Sequence, residues 1–166
     1  LVADTHMPPS DPKVMALIEE AFAGVALLLH AGDIVTLSVL DWLDTVAPVY
    51  AAIGNNDVML PPDRRLKKYW GLDVDGVSIG LFHIYEPYDW PPAKFLKKYY
   101  DIDTPPRVLV VGDTHFEVVE EREGVLVVNP GSPTSSHLRV DLPGTVGILT
   151  IEDGSPSAEI LYLGVD

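Results

Sequence analysis

The chain has 166 residues, of which 47% are hydrophobic, so we expect one compact domain with a substantial core rather than a disordered chain. Its formal net charge of −14 repels nucleic-acid phosphates and anionic lipid surfaces, so neither nucleic acid nor a membrane is an expected partner. The absence of cysteine excludes disulfides, zinc–thiolate sites and cysteine nucleophiles, and it fits a cytoplasmic protein.

The first half of the chain predicts strands that alternate with helices. Residues 1–3 have the pattern of a buried strand whose first residues are missing, and Pro12 favours the first turn of a helix. A continuous apolar run over residues 25–30 predicts a strand buried on both faces. A second helix is expected to begin near Thr36, and a third strand covers residues 48–53. This order of strands and helices is typical of a parallel sheet.

The second half changes to hairpins. Short apolar runs are separated by an acidic residue followed by glycine, which is a strong hairpin signal. The three pairs are Asp75-Gly76, Glu123-Gly124 and Asp153-Gly154. A helix over residues 93–100 and a strand over residues 107–111 lie between the first two hairpins. The expected result is two mixed sheets packed together with helices outside, in a single domain over residues 1–166.

Asp, His and Asn residues follow five separate predicted strands, at the point where each strand ends. Ligands gather beyond the carboxyl ends of strands in sheets of this kind, so we expect these side chains to converge. Aspartate, imidazole and amide oxygen without sulfur suit Mn²⁺, Mg²⁺, Fe²⁺ or Zn²⁺. The residues concerned are Asp4, His6, Asp33, Asn55, Asp57, His83, Asp113 and His115.

The local spacing supports ligation. In extended backbone, side chains at positions i and i+2 point to the same side, so Asp4 and His6 are expected to offer two ligands to one place. Asp113 and His115 have the same spacing. Gly32, Gly54 and Gly112 precede candidate ligands, where the backbone must turn sharply or approach closely. Each motif alone is more often a turn or a satisfied core histidine, but the complete set in this order indicates a metal site.

The order of these motifs resembles the calcineurin-like metallophosphoesterase superfamily. The turn Asn129-Pro130-Gly131-Ser132 is similar to that of its small stand-alone bacterial and archaeal phosphodiesterase branch. The resemblance implies an α/β fold, specifically a four-layer α/β/β/α sandwich. It also implies a metal-dependent hydrolysis of a small phosphoester, most naturally a phosphodiester.

The resemblance implies a ligand set for two divalent ions. Asp4, His6 and His115 would hold the first ion, Asp33 would bridge both, and Asn55, His83 and Asp113 would hold the second. Asp113 stands where the family usually has histidine. An additional carboxylate favours a harder ion, so Mn²⁺ is the first choice, with Mg²⁺, Ni²⁺, Fe²⁺ and Zn²⁺ as alternatives.

The expected mechanism is attack on phosphorus by a hydroxide shared between the two ions, with Asp33, Asn55 and Asn56 as the catalytic residues. Asn56 replaces the histidine of many relatives and has no useful pKa for acid catalysis, so a slow enzyme or a need for a good leaving group is expected. Asp57 is expected to orient a metal-binding histidine, and His30 to play a structural or supporting role. The loops over residues 85–92 and 132–139 are expected to shape the substrate pocket.

Two other functions remain as alternatives. Asn56 and Asp113 are compatible with an alternative function, in which the chain is a catalytically weak or inactive scaffold that binds proteins. The retromer subunit of the same fold is an example. A nuclease is disfavoured by the acidic charge and the lack of a basic groove. Aromatic residues expected at the surface could form an interface, so a homo-oligomer is also an alternative.

Overall fold

The structure is a computed structural model that describes residues 1–6, 12–134 and 144–164. Its helices are α1 (Pro12–Ala21), α2 (Leu37–Leu43) and α3 (Pro92–Tyr100). Its strands are β1 (Leu28–His30), β2 (Val49–Ala52), β3 (Leu66–Lys67), β4 (Trp70–Val74), β5 (Val77–Leu81), β6 (Val108–Val110), β7 (Glu117–Arg122), β8 (Val125–Pro130), β9 (Thr145–Glu152) and β10 (Ser155–Tyr162). Among the helices of these ranges, none is long and apolar enough to cross a membrane.

The first sheet is built around the start of the chain. Strands β1, β2 and β3 are parallel neighbours. Val2 lies beside β1, where its N–H donates to Leu29 O at 3.0 Å and its carbonyl accepts from Ala31 N at 2.8 Å. On the other side, Leu1 and Gly147 exchange hydrogen bonds of 2.6 and 2.9 Å. Residues 1–3 therefore join the antiparallel β9–β10 hairpin to the parallel strands in one mixed layer.

The second sheet has the order β4-β5-β6-β8-β7. Its central pairs β5–β6 and β6–β8 are parallel, whereas the hairpins β4–β5 and β7–β8 form its edges. All three predicted hairpins are confirmed. Asp75 and Gly76 have φ angles of 50° and 76°, the left-handed pair that a tight hairpin turn requires.

Three apolar clusters lie between the layers of the fold, one at each interface. Ile18 and Phe22 of the α1 region pack with α2 against the outer face of the first sheet. Small and branched side chains such as Ala31 fill the space between the two sheets. Phe95 and Leu96 of α3 cover the outer face of the second sheet. The predicted four-layer α/β/β/α sandwich is therefore confirmed.

Two strands differ from the sequence prediction. Strand β1 covers Leu28–His30 rather than residues 25–30, because the end of α1 continues into a turn in which Val25 N donates to Phe22 O at 3.2 Å. Gly24 in that turn has a φ of +80°. Strand β3 was not predicted, since its two residues form no apolar run. By contrast, α2 begins as predicted, with the Thr36 hydroxyl accepting from Ser38 N at 3.1 Å.

Candidate metal centre

The carboxyl ends of the parallel strands meet at one edge of the two sheets. Segments that follow residues 1–3, β1, β2, β5 and β6 all reach this edge. They bring together the predicted candidate ligands Asp4, His6, Asp33, Asn55, His83, Asp113 and His115. The convergence that was predicted from strand order is therefore present.

The first cluster contains Asp4, His6 and His115, whose ligand atoms all lie within 4.8 Å of one another. The two Nε2 atoms of His6 and His115 are 3.0 Å apart. Asp4 Oδ1 lies 3.7 Å from His115 Nε2 and 3.9 Å from His6 Nε2. Ligand atoms that bind one ion at right angles, each at about 2.1 Å, are themselves about 3.0 Å apart. The spacing of the two imidazoles suits a shared cation.

The second cluster surrounds Nε2 of His83. This atom lies 2.8 Å from Asn55 Oδ1, 3.4 Å from Asp113 Oδ1 and 3.5 Å from Asp33 Oδ1. The other ring nitrogen of His83, Nδ1, is 2.7 Å from the carbonyl oxygen of Ala31 and donates its proton there. Nε2 is the ring nitrogen that faces the oxygen atoms, and a ring held through Nδ1 in this way has the orientation that a metal-binding histidine needs.

Asp33 lies between the two clusters. Its Oδ2 is 3.5 Å from His6 Nε2, and its Oδ1 is 3.5 Å from His83 Nε2. One buried carboxylate thus presents a different oxygen to each group of ligands.

Asp4 is a fully buried carboxylate with one satisfied oxygen. Its Oδ2 accepts from Asp113 N at 3.0 Å, whereas Oδ1 accepts no hydrogen bond from any described residue. Burial, followed by the negative charge of Asp33, raises the pKa of Asp4 to about 8. A buried acceptor without a donor is costly unless a cation faces it. The donor chemistry of the site and this buried oxygen both fit a divalent cation.

The backbone conformation corrects one prediction. Asp4 and His6 have φ angles of 52° and 46°, and those of Asp113 and His115 are 70° and 59°. All four residues are left-handed, so the expected extended backbone is wrong. The chain must turn tightly at the sheet edge, as in the hydrogen bond of 2.9 Å from Thr114 N to Gly112 O. The paired side chains still reach the same place.

The glycines of the site permit close approach of the loops, as predicted. A side chain at Gly54 would overlap the carboxylate of Asp33. A Cβ atom at Gly112 would lie 2.8 Å from the carbonyl oxygen of Ala31 and 2.9 Å from Asp4 Oδ2. Both positions therefore need glycine for steric reasons.

Asp57 has a different role from the one expected. Its Oδ2 accepts from Asp33 N at 2.8 Å and Gly54 N at 2.9 Å, and its Oδ1 accepts from Val35 N at 2.8 Å. The hydrogen bonds found for this carboxylate thus come from backbone and not from a metal-site histidine. Asp57 holds the loop after β1 against the loop after β2.

His30 serves the fold, as expected. It is fully buried, and its Nδ1 accepts from Gly32 N at 3.2 Å. Its Nε2 therefore carries the proton and donates to the Thr5 hydroxyl at 3.2 Å. Burial, and then the nearby His83, lower the pKa of His30 to about 3, so this side chain is neutral.

Comparison with known proteins identifies the family. The family model described as the calcineurin-like phosphoesterase superfamily domain matches residues 1–154. The chain belongs to the calcineurin-like phosphoesterase superfamily. A probable metallophosphoesterase from Methanothermobacter thermautotrophicus is 31% identical over 169 residues, which cover 99% of this chain and 91% of that protein.

Solved structures of the superfamily fold agree with this assignment. An archaeal phosphodiesterase superposes with a TM-score of 0.69 at 24% identity, over 96% of this chain and 97% of its own. Vps29 from Entamoeba histolytica, solved in complex with Zn²⁺, superposes with a TM-score of 0.65 at 23% identity, over 97% of this chain and 96% of its own. At these identities the likeness establishes the fold.

Asn56, which the sequence resemblance places where many relatives have histidine, contacts the central carboxylate of Asp33. Its backbone N–H donates to Asp33 Oδ1 at 2.9 Å, and its side-chain Nδ2 donates to Asp33 Oδ2 at 2.6 Å. Asn56 therefore fixes both oxygens of the central carboxylate. Asp113 places a carboxylate oxygen 3.4 Å from His83 Nε2.

Sequence reasoning missed the residues that support the ligand loops. Ser132 donates its hydroxyl proton to the carbonyl oxygen of Asp4 at 2.8 Å, and Thr134 donates to that of Thr5 at 2.7 Å. Asn129 Nδ2 donates to Gly112 O at 2.9 Å. The turn Asn129-Pro130-Gly131-Ser132 was the sequence signal for these residues, because it resembles a turn of the superfamily. The sequence alone did not predict which residues the turn contacts.

The structure describes the first of the two loops that were expected to shape a substrate pocket, and only the beginning of the second. Tyr85 is buried, and its hydroxyl donates to the carbonyl oxygen of Trp90, so this tyrosine packs within the fold. Of the second loop, residues 135–139 lie outside the described part of the chain.

Proposed function

We propose that the chain is a metal-dependent phosphoesterase that holds two divalent cations and hydrolyses a small phosphodiester. The observation that supports this most directly is the position of Asp33, with one oxygen 3.5 Å from His6 Nε2 and the other 3.5 Å from His83 Nε2. Membership of a phosphoesterase superfamily and the fold shared with an archaeal phosphodiesterase support the reaction class.

In this proposal Asp4, His6 and His115 would hold one cation, Asn55, His83 and Asp113 would hold the other, and Asp33 would contribute to both sites. When bound, the cations lower the pKa of a water molecule and neutralise charge on the phosphate. The chain contributes a fixed arrangement of ligands. His83 is oriented by Ala31, Asp33 by Asn56, and the backbone at Asp33 by Asp57.

Asn55 and Asn56 would assist without transferring protons. Asn55 turns Oδ1 towards His83, and we propose that its Nδ2 donates to a phosphate oxygen. An amide has no useful pKa for protonating a leaving group. The proposed enzyme therefore favours esters whose alcohol or phenol leaves readily.

We propose Mn²⁺ as the preferred ion. Asp113 adds a third carboxylate to those of Asp4 and Asp33, and carboxylate oxygen suits Mn²⁺ and Mg²⁺ better than softer ions. Hydrolysis rates, measured after Mn²⁺, Mg²⁺, Ni²⁺, Fe²⁺ or Zn²⁺ is added to the same metal-free preparation, would rank these ions by the activity that they support.

The test of the proposed function compares Asp33→Asn with Asp103→Asn. Asp103 is an exposed carboxylate paired with Lys97, so it serves as the matched control. With bis(p-nitrophenyl) phosphate and Mn²⁺, Asp33→Asn is expected to lower kcat/KM by roughly 100-fold or more, because the ligand that contacts both cations loses its charge. Hydrolysis by the wild type that survives exhaustive chelation would refute the proposal.

A catalytically inactive scaffold is the second candidate. The fold shared with Vps29 favours it, as do Asn56 and Asp113, which stand where the sequence resemblance implies histidine. This candidate would be supported by a stable, stoichiometric protein partner together with no turnover of monoesters, diesters or cyclic nucleotides in the presence of Mn²⁺.

A further inference from the structure

A pocket of about 340 Å³ includes in its lining the residue that directly follows the candidate ligand His83. We call it the Tyr99 pocket, and its lining residues are Lys68, Ile84, Glu86, Phe95, Tyr99 and Tyr100. Ile84 directly follows His83 in the chain. Lys68 follows β3, whose Lys67 is paired with Ala52, two residues before Gly54. Through Ile84 the pocket is connected along the chain to the half of the metal centre that contains His83.

Four of the six lining residues of the Tyr99 pocket are apolar or aromatic, and two of these are exposed. Tyr99 is 50% exposed and Ile84 is 37% exposed, which leaves large apolar groups in contact with solvent. Phe95, by contrast, is buried and packs edge-to-face with Tyr100, with the ring centroids 5.6 Å apart. Tyr100 also packs on Phe82 at 4.6 Å. These contacts fix part of the pocket wall, while Tyr99 and Ile84 are accessible to a ligand.

A positive charge lies at the pocket in a chain of net charge −14. Lys68 Nζ is 5.2 Å from the centroid of the Tyr100 ring. A cation over an aromatic face is attracted by the ring quadrupole. The Lys68 ammonium group would therefore also attract the face of an aromatic ring that is bound in the pocket. Glu86 supplies the opposite charge on the pocket lining, so the lining is unsuited to a second phosphate group but suited to an uncharged ring.

We propose that the Tyr99 pocket binds a planar aromatic ring carried by the phosphoester substrate. This inference rests on the proposed function, because the metal centre would hold the phosphate group while the pocket holds the ring. A volume of about 340 Å³ accepts one ring. Aromatic walls favour a ring over an alkyl chain, since edge-to-face and offset contacts add to the burial of apolar area.

The test measures binding and turnover separately. Phenylphosphonate and methylphosphonate are not hydrolysed, and both offer a phosphate-like group to the Mn²⁺-loaded protein. Their Kd values are measured by isothermal titration calorimetry. Phenylphosphonate is expected to bind about tenfold more tightly than methylphosphonate, because only its ring reaches the pocket. Turnover of methyl p-nitrophenyl phosphate, measured in parallel, tests the proposed function without needing a second ring.

Three variants and one control test which residues cause the preference for phenylphosphonate over methylphosphonate. Tyr99→Ala and Ile84→Ala are each expected to reduce the tenfold preference to twofold or less, while the Kd of methylphosphonate stays unchanged. Lys68→Ala is expected to reduce the preference about threefold without altering the aromatic packing. Lys67→Ala is the matched control, since Lys67 also lies over an aromatic ring, 3.7 Å from Trp70, but does not line the pocket.

Each outcome decides between the two proposals. Turnover with equal binding of the two phosphonates, or with a preference that all three variants retain, overturns the ring site and leaves the proposed function intact. A phenyl preference that is lost in the variants supports the ring site, even where turnover is absent and the proposed function fails. Failure of both phosphonates to bind overturns the ring site. A circular-dichroism melt of each variant identifies one that is misfolded, and Lys68→Ala then decides.

Discussion

The Nε2 atoms of His6 and His115 lie 3.0 Å apart, although 109 positions separate these residues in the chain. Asp4 Oδ1 is 3.7 Å from His115 Nε2, so two imidazoles and a buried carboxylate meet at one point. This grouping is the ordinary environment of a divalent cation in proteins. It is produced by loops that follow two strands in different sheets.

Removal of one imidazole is expected to weaken binding of the cation. His115→Ala should raise the Kd for Mn²⁺ at one of the two sites by roughly 10- to 100-fold, because the cation proposed to bind Asp4, His6, His115 and Asp33 loses one ligand. Isothermal titration calorimetry of the metal-free variant measures this change. Lys67→Ala, which alters an exposed residue, should leave the Kd unchanged. An unaltered Kd in His115→Ala would contradict the proposed ligand set.

The pKa of Asp4 makes metal binding depend on pH. Because burial raises this pKa from 3.8 to about 8, the folded metal-free protein holds a proton that the unfolded chain releases above about pH 4. Its stability should therefore fall as the pH rises from about 4 to about 8. A cation must displace this proton, so the affinity for Mn²⁺ should rise by about tenfold per pH unit up to about pH 8 and then level off.

Titrations with Mn²⁺ between pH 6 and 9 measure that slope. Asp4→Asn has no titrating carboxyl at this position, so its remaining affinity should depend less on pH. A wild-type affinity that is constant from pH 6 to 8 would show that the proton on Asp4 is not displaced by the cation.

Asp57 is expected to contribute mainly to stability. Asp57→Ala leaves three backbone N–H groups without their acceptor, at Asp33, Val35 and Gly54. Loss of hydrogen bonds to a buried carboxylate should lower the free energy of unfolding by about 3 kcal/mol or more. Urea denaturation of the metal-free protein measures this change, with Asp103→Ala as the surface control. A loss below about 0.5 kcal/mol would contradict the structural role.

Ser132 is expected to position Asp4 through the backbone. Ser132→Ala removes the hydrogen bond of 2.8 Å to the carbonyl oxygen of Asp4 and should cost about 1–2 kcal/mol of stability. Its Kd for Mn²⁺ should rise less than that of His115→Ala, since no ligand is lost. Thermal unfolding with and without Mn²⁺ separates the two effects, and an unchanged melting temperature would contradict the assignment.

Much of the fold follows from local sequence signals. Asp75-Gly76 and Thr36 predicted a hairpin and a helix start because their preferences are local and strong. The left-handed backbone at Asp4 was not predictable, since hydrogen bonds across the fold stabilise it, such as Asp4 N to Gly32 O at 2.9 Å. The role of Asp57 was missed because its partners are backbone groups, whose positions are set by tertiary structure.

Asp33 is proposed to bind two cations in one site, one through each carboxylate oxygen. Electron paramagnetic resonance of the Mn²⁺-loaded protein tests this most directly, because two Mn²⁺ ions that share a carboxylate give an exchange-coupled spectrum. The account predicts two bound ions per chain with that coupled signal, and an uncoupled signal in Asp33→Ala. One bound ion per chain, or two ions with an uncoupled spectrum in the wild type, would contradict it.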